Sequence, residues 1–158
     1  MDGFQRNITF SIGRAADHAI VMTATMVDRF HDLAVETTVE PDTLAIRAIR
    51  ADFARSPTGN CRKIQARLDL LVGTPVGKGL TRKIFETLGG GEGCGNLRML
   101  LLGSLPLAIN ARVSEGAENV WEMLDTIHHE LHGTCVGYSA PPAAYDDRNG
   151  QTWKGATT

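Results

Sequence analysis

A glycine-crowded loop that leads directly into the most apolar stretch of the chain is the feature that most constrains this sequence. Residues 89–95 read GGGEGCG, and residues 96–109 read NLRMLLLGSLPLAI. Glycine adopts positive φ at little cost and allows close approach to the backbone, so the loop can present Glu92 and Cys94 in a tight turn. The apolar stretch has Leu, Met or Ile on nearly every side and predicts a helix buried all round and interrupted at Pro106. A thiol where that helix begins would lie near unpaired backbone N–H groups, which favour the thiolate.

The spacing of the glycines does not match a nucleotide-binding loop. GGGEGCG fits neither GxxxxGK[ST] nor GxGxxG, and it follows a predicted helix, whereas those motifs follow a strand. A tight connection between two packed helices also explains the glycines, but it does not explain why an acidic residue lies among them. We therefore interpret the loop as one wall of a site for a small-molecule substrate, and we expect no cofactor.

The first third of the chain alternates apolar and polar residues, which is typical of half-buried β-strands. The apolar phase shifts across VDRFHD (27–32), so this segment predicts a turn or a bulge between two strands. Residues 40–43 (EPDT) predict a second turn, because proline suits a corner position. The strands form an antiparallel meander of three or four members, at residues 8–12, 19–27, 33–39 and 44–55.

After the strands, apolar residues recur every three or four positions and predict helices. We expect amphipathic helices over residues 61–71 and 80–88, and Gly89 is predicted to be the left-handed C′ residue of the second. Ser114 is predicted to cap a last helix, because two glutamates follow it closely. Strands followed by helices indicate an α+β fold, in which the N-terminal meander is followed by helices packed on one face.

Length and composition limit the class of protein. A chain of 158 residues suits a single domain, which we expect at residues 1–140, and residues 141–158 lack any period and predict an extended tail.

The net charge of −2 and the absence of lysine or arginine runs give no indication of nucleic-acid binding. No stretch reaches the roughly 20 apolar residues that span a bilayer. Three widely spaced cysteines and no signal-peptide pattern favour a cytoplasmic protein. Whether it forms a homo-oligomer stays open.

Asp28 and His31 lie three residues apart within the predicted turn of VDRFHD. A carboxylate within hydrogen-bonding reach of an imidazole fixes its tautomer and raises its basicity, which is what a general base requires. Loops held by rigid strands are also where catalytic groups are often found. A surface turn with ordinary polar residues explains the same spacing, and this alternative stays open.

Histidines and cysteines elsewhere suggest a metal-binding protein as an alternative function. His128 and His132 would share a helix face, and the three cysteines together with His31 would supply a Cys₃His donor set. However, HELH is not the HExxH motif, and the chain has no CxxC pair. A non-catalytic binding module is the remaining alternative.

Three segments of the chain resemble a bacterial family known as domain-of-unknown-function family 2889. They are FHDLAVE (30–36), LAIRAIRADFARSPTGNC (44–61) and LDLLVGTPVGKGLTRKIFETLGGGEGCGNL (68–97). The shared features are a D..H element after a strand, a Pro and a Cys before a helix, an L(I/V)G…G stretch and a GG.EGC..L loop. The resemblance covers roughly residues 20–140.

The resemblance also implies which residues form the site. The family's characteristic positions are occupied here by Asp28, His31, Cys61, Glu92 and Cys94, and Cys135 matches a C-terminal TC element. The chain differs from the family at two positions, with Asn96 where a histidine is frequent and Val136 where histidine or tyrosine is frequent. We expect catalysis by Asp28, His31 and Cys94, and substrate binding by Cys61, Glu92, Asn96, Cys135 and Tyr138.

Genes of this family often lie among those for aromatic and acyl-thioester catabolism. The resemblance therefore implies an enzyme that acts on a small, partly aromatic catabolic intermediate, such as a lignin-derived aromatic. Such an enzyme would be a cofactor-independent lyase or isomerase. A base such as His31 would remove a proton and an acid would return one, for example during retro-aldol release of a small aldehyde.

Overall fold

The computed structural model describes residues 3–114, 119–133 and 135–139. The chain divides into two units between residues 115 and 116, and each is described here by itself. The predicted tail at residues 141–158 lies outside the described residues. The single domain expected at residues 1–140 stays a prediction.

The first unit begins with a four-stranded antiparallel sheet in which each strand pairs with the next along the chain. The second strand (Ile20–Asp28) and the third (Asp32–Val39) are connected by only three residues, 29–31, and the Asp28 N–H donates to His31 O at 2.9 Å. The predicted turn in VDRFHD is therefore a tight hairpin, which explains the shift in apolar phase. The strands are β1 (Arg6–Arg14), β2 (Ile20–Asp28), β3 (Asp32–Val39) and β4 (Ile46–Arg55).

The helices that follow the sheet pack on one of its faces or on one another, which confirms the predicted α+β architecture. Alternate residues of β2 are buried beneath them, as the period of two predicted. The short α1 contacts β4, α3 contacts β1, β2 and β3, and α4 contacts β1 and β2. The helices are α1 (Gln65–Leu68), α2 (Leu80–Leu88), α3 (Gly95–Ser104) and α4 (Leu107–Val113).

The helix after the glycine loop is buried on one side only, so the expectation of burial all round was wrong. Leu97, Leu100 and Leu101 are fully buried, whereas Met99 is 37% exposed and Gly103 is also exposed. The helix is apolar on its outer side as well, but the sheet covers only its inner side. The predicted interruption is confirmed, because α3 and α4 are separated at Leu105 and Pro106.

One predicted helix and one predicted left-handed glycine differ from the structure. Residues 61–71 form only one α-helical turn, with 3₁₀ turns at Gly59–Ile64 and Asp69–Leu71 on either side. Gly89 ends α2 in an extended conformation (φ −88°), and the left-handed residue is Gly90 (φ 68°). Helix α2 itself has the predicted bounds, Leu80–Leu88, and the left-handed residue lies one position beyond the predicted one.

The second unit contains α5 (Val120–Glu130) and a 3₁₀ turn at Val136–Tyr138. Ser114 does not cap α5: it ends α4, and its hydroxyl donates to Ala111 O at 3.0 Å. Asn119 caps α5 instead, since its side-chain oxygen accepts from the Glu122 N–H at 3.0 Å. Across the described ranges, the structure contains no helix of the length and apolarity needed to cross a membrane.

Candidate functional site

Asp28 ends strand β2, and its side chain has no solvent exposure. Its Oδ1 accepts hydrogen bonds from the backbone N–H groups of Phe30 and His31, both at 2.8 Å. Its Oδ2 accepts from the Arg6 guanidinium, with Nε at 2.8 Å and Nη2 at 2.6 Å. The register places Arg6 directly opposite Asp28 on the neighbouring strand. The buried carboxylate is therefore fully hydrogen-bonded and paired with a cation.

These contacts determine the protonation state of Asp28. Burial by itself raises the pKa of a carboxyl group, but here it is outweighed by hydrogen bonds from the Phe30 N–H, the Arg6 guanidinium, and the side chain and N–H of His31. Together they hold the pKa of Asp28 well below its usual range. Asp28 is therefore a permanent acceptor at physiological pH and not a proton donor.

Asp28 also fixes the tautomer of His31. The Nδ1 atom of His31 lies 3.0 Å from Asp28 Oδ1, and an ionised carboxylate only accepts, so Nδ1 carries the hydrogen. In the neutral ring this leaves a lone pair on Nε2, which accepts from the Asn96 side-chain amide at 3.2 Å. The His31 side chain is 18% exposed. The atom able to take up a proton is thus Nε2, within reach of solvent.

Arg6 fixes the orientation of Asn96 and completes the arrangement. Its Nη1 donates to Asn96 Oδ1 at 3.3 Å, so a reversed amide would place one donor against another. We call Arg6, Asp28, His31 and Asn96 the polar ring. Its members come from β1, the end of β2, the hairpin and the first turn of α3.

Arg55 on β4 secures the hairpin that carries His31. Its Nη2 donates to Asp28 O at 2.8 Å and to His31 O at 3.3 Å. The hairpin is therefore bonded both to its own sheet and to α3, and His31 lies on a well-supported turn.

A cleft of about 530 Å³ lies between the Gly59–Ile64 turn with α1 and the glycine loop. Cys61, Lys63 and Arg67 line it from one side, and Glu92 and Cys94 from the other. Glu92 forms an ion pair with Arg67. The cleft is therefore bordered by two thiols, two cations and one carboxylate.

The glycines of the loop are explained by its closeness to the end of α2. Gly90 has positive φ, and a Cβ at Gly93 would overlap the carbonyl group of Leu88. Cys94 is the N-cap residue of α3, with φ −140°, which confirms that the helix begins directly after the thiol. The loop folds back on α2 and so presents Glu92 and Cys94 to the cleft.

The structure places the expected site residues in two groups, on either side of the beginning of α3. Asp28, His31 and Asn96 meet in the polar ring, whereas Cys61, Glu92 and Cys94 line the cleft. The loop and the hairpin thus meet through Asn96, two residues after Cys94. Neither Asp28 nor His31 lines the cleft.

Cys135 and Tyr138, the remaining expected binding residues, belong to the second unit. The thiol of Cys135 is exposed, and its carbonyl accepts from the Tyr138 N–H at 3.0 Å. The Tyr138 ring meets the His128 ring edge-on, with 5.3 Å between the ring centroids. Their part in substrate binding stays a prediction.

The sequence did not reveal three cations of these sites: Arg6, Lys63 and Arg67. Counting outward from the β1–β2 turn would have paired Arg6 with Asp28, since the pairing is regular along both strands. Lys63 and Arg67 lie four residues apart on the segment predicted as a helix, a spacing that places them on one side.

The alternative of a metal-binding protein stays a prediction. No group of three or more His, Cys, Asp or Glu side chains suited to a metal ion occurs within residues 3–114, 119–133 and 135–139. The Cys₃His set combines residues of both units and is not tested by their separate description.

Comparison with known protein families identifies the family of this chain. A family model described as "Protein of unknown function (DUF2889)" matches residues 13–109, more than half of the chain. This range includes Asp28, His31 and the whole cleft, but it ends before Cys135, so the similarity is shorter than the roughly 20–140 expected from the sequence. No curated protein and no solved structure gives a significant match. The chain belongs to the DUF2889 family.

Proposed function

We propose that this protein is a small enzyme that catalyses proton transfer at His31, as a lyase or isomerase without a bound cofactor. The observation that supports it is the contact between the buried Asp28 carboxylate and His31 Nδ1, which leaves Nε2 as the basic atom. General bases in enzymes are oriented in this way by a second, ionised group. The low pKa of Asp28 supports this role, because the carboxylate remains charged while the imidazole gains and loses a proton.

Arg6 and Asn96, the remaining members of the polar ring, can stabilise the negative charge that such a reaction develops on the substrate. Arg6 is 29% exposed at its side chain and keeps Nη1 beside Asn96 Oδ1, so it can stabilise an oxyanion that forms near His31. The Asn96 amide already donates to Nε2, and a substrate hydroxyl would take its place there. The ring thus combines a base, a cation and an amide donor.

A retro-aldol step illustrates the chemistry that these groups allow. His31 Nε2 removes the hydroxyl proton of the substrate as the adjacent carbon–carbon bond breaks and an aldehyde leaves. The electron pair of that bond moves through the neighbouring carbon onto a carbonyl oxygen of the substrate, which forms an enolate, and the imidazolium then protonates that carbon. Base and acid are the same residue, and no redox change occurs.

The resemblance to the family supports a substrate that is small and partly aromatic, such as a lignin-derived intermediate. Three free cysteines, Cys61, Cys94 and Cys135, suit a reducing compartment, and we place the reaction in the cytoplasm. Cys94 is proposed to contact the substrate from the side of the cleft. Elemental analysis of the purified protein tests the absence of a metal cofactor, since a stoichiometric metal would contradict it.

Replacing His31 by alanine is expected to lower turnover by about 10²–10⁴-fold, the usual contribution of a general base. The assay uses a panel of aromatic alcohols in which a hydroxymethyl group is attached to the carbon beside an aryl ketone. Aldehyde release is followed with a chemical trap, and deuterium uptake from D₂O is followed by proton NMR. His129→Ala is the matched control, because His129 is exposed on α5 and belongs to neither group of site residues. Full turnover in His31→Ala would refute the proposal.

A further inference from the structure

Apart from Cys94, the cleft carries side chains that the acid–base proposal does not use. The side chain of Arg67 is 31% exposed, and its Nη1 donates to Thr87 O at 3.4 Å. The guanidinium is therefore anchored to a backbone carbonyl group of α2. Its other contact is the carboxylate of Glu92, which comes from the glycine loop across the cleft. The protein therefore already places one carboxylate on Arg67 within this space.

Glu92 is well suited to give up that position. Its side chain is 80% exposed, so its carboxylate can return to water with little loss of solvation. Exposed ion pairs of this kind contribute little to stability, and a competing anion can replace one partner. The guanidinium, by contrast, keeps its bond to Thr87 O whether or not Glu92 is present.

Lys63 adds a second cation to the same cleft. No hydrogen bond or ion pair of its ammonium group is found with the part of the chain that the structure describes. With Glu92 paired to Arg67, Lys63 leaves one positive charge in the cleft unbalanced. This favours an anionic ligand.

The floor of the cleft is apolar. Ile64 is buried, and Cys61 and Cys94 are partly buried against the hydrophobic core. A volume of about 530 Å³ holds a small organic molecule and not only an inorganic ion. The cleft thus combines a cationic rim with an apolar floor.

We propose that this cleft binds organic carboxylates, with the carboxylate head on Arg67 and Lys63 and the apolar body over Ile64 and the two thiols. Glu92 occupies Arg67 in the free protein and is displaced by the ligand. The proposal goes beyond the acid–base function, because neither Asp28 nor His31 lines the cleft and binding is measured without turnover.

Titration calorimetry of the full chain with benzoate tests the proposal. Arg67→Ala is expected to weaken benzoate binding at least tenfold, because it removes the bidentate partner of the carboxylate. Lys63→Ala is expected to weaken it about two- to fivefold, as for an exposed charge. Glu92→Gln is expected to tighten it about two- to fivefold, because the competing carboxylate is gone while the side chain keeps its size.

Glu86→Gln is the matched control. Glu86 forms an exposed ion pair with Arg82 on α2, and neither residue lines the cleft, so benzoate affinity should be unchanged. Benzyl alcohol and inorganic phosphate are the control ligands, and each should bind at least tenfold more weakly than benzoate. Thermal melts establish that each variant is folded.

Two results would overturn the proposal. One is equal benzoate affinity in the native protein, Glu92→Gln and Lys63→Ala, which does not depend on whether Arg67→Ala folds. The other is phosphate binding as tight as benzoate, which would show a site for inorganic anions without a role for the apolar floor.

Discussion

Replacing Gly93 by alanine is expected to lower the free energy of unfolding by about 2–3 kcal/mol, the cost of forcing atoms into a filled space. A Cβ at this position would overlap the Leu88 carbonyl group and lie 2.6 Å from Gly89 O. Both are backbone atoms where α2 ends, so no side-chain rotation can make room. The loop would have to move away from α2, and Glu92 and Cys94 would move with it.

Gly91→Ala is the matched control for this change. It lies two residues earlier in the same loop, without positive φ and with nothing within 4 Å of an added Cβ. Its free energy of unfolding, measured by urea titration, should stay within about 0.5 kcal/mol of that of the native protein, as for most surface substitutions. Equal stability of the two variants would show that the loop does not pack on α2 as described.

Gly103→Ala separates the backbone effect from ordinary crowding. There the added Cβ would meet the ring of Phe10, which is 40% exposed and free to turn outward. Alanine is also favoured over glycine inside a helix, by about 1 kcal/mol. We therefore expect almost no change in the free energy of unfolding for Gly103→Ala, although an added Cβ would be crowded there, as it would be at Gly93.

The sheet was predictable because the pattern that indicates a strand is local, lying within the residues of the strand itself. Alternation of apolar and polar residues reports which face of a strand is buried, and the shift in phase at VDRFHD located the hairpin correctly. The same locality explains the error at α3. A helix of Leu and Met residues indicates burial, but how many sides are covered depends on the elements around it, and here the sheet covers one.

The candidate site was predictable only in part, for a related reason. Asp28 and His31 are three residues apart, so their contact follows from the hairpin itself. The contact of His31 with Asn96 spans 65 residues and depends on how α3 docks on the sheet. Likewise, Glu92 was recognised as an unexplained acid, but its partner Arg67 is 25 residues away on another element.

Replacing Asp28 by asparagine is expected to lower the thermal midpoint by about 5–10 °C, because buried donors lose their acceptor. Five N–H groups converge on the carboxylate: three on Oδ1, from Phe30 and His31, and two on Oδ2, from Arg6. An amide has one oxygen, so its NH₂ group must face one of these sets of donors. Asp17→Asn is the control, since Asp17 and its partner Arg47 are both exposed, and its midpoint should shift by no more than about 2 °C.

The stability that Asp28 contributes should also depend on pH in a defined direction. Its pKa is lower in the folded chain than the ordinary value of about 3.9, so the folded state favours the ionised form. The contribution is complete above that ordinary value and is lost as the pH falls below it toward the lower folded pKa. The difference in urea midpoint between the native protein and Asp28→Asn should therefore shrink as the pH falls below about 4. A difference that persists undiminished at about pH 2 would mean that the charge of Asp28 does not stabilise the polar ring, and His31 would then lack the ionised partner on which the proposed catalysis depends.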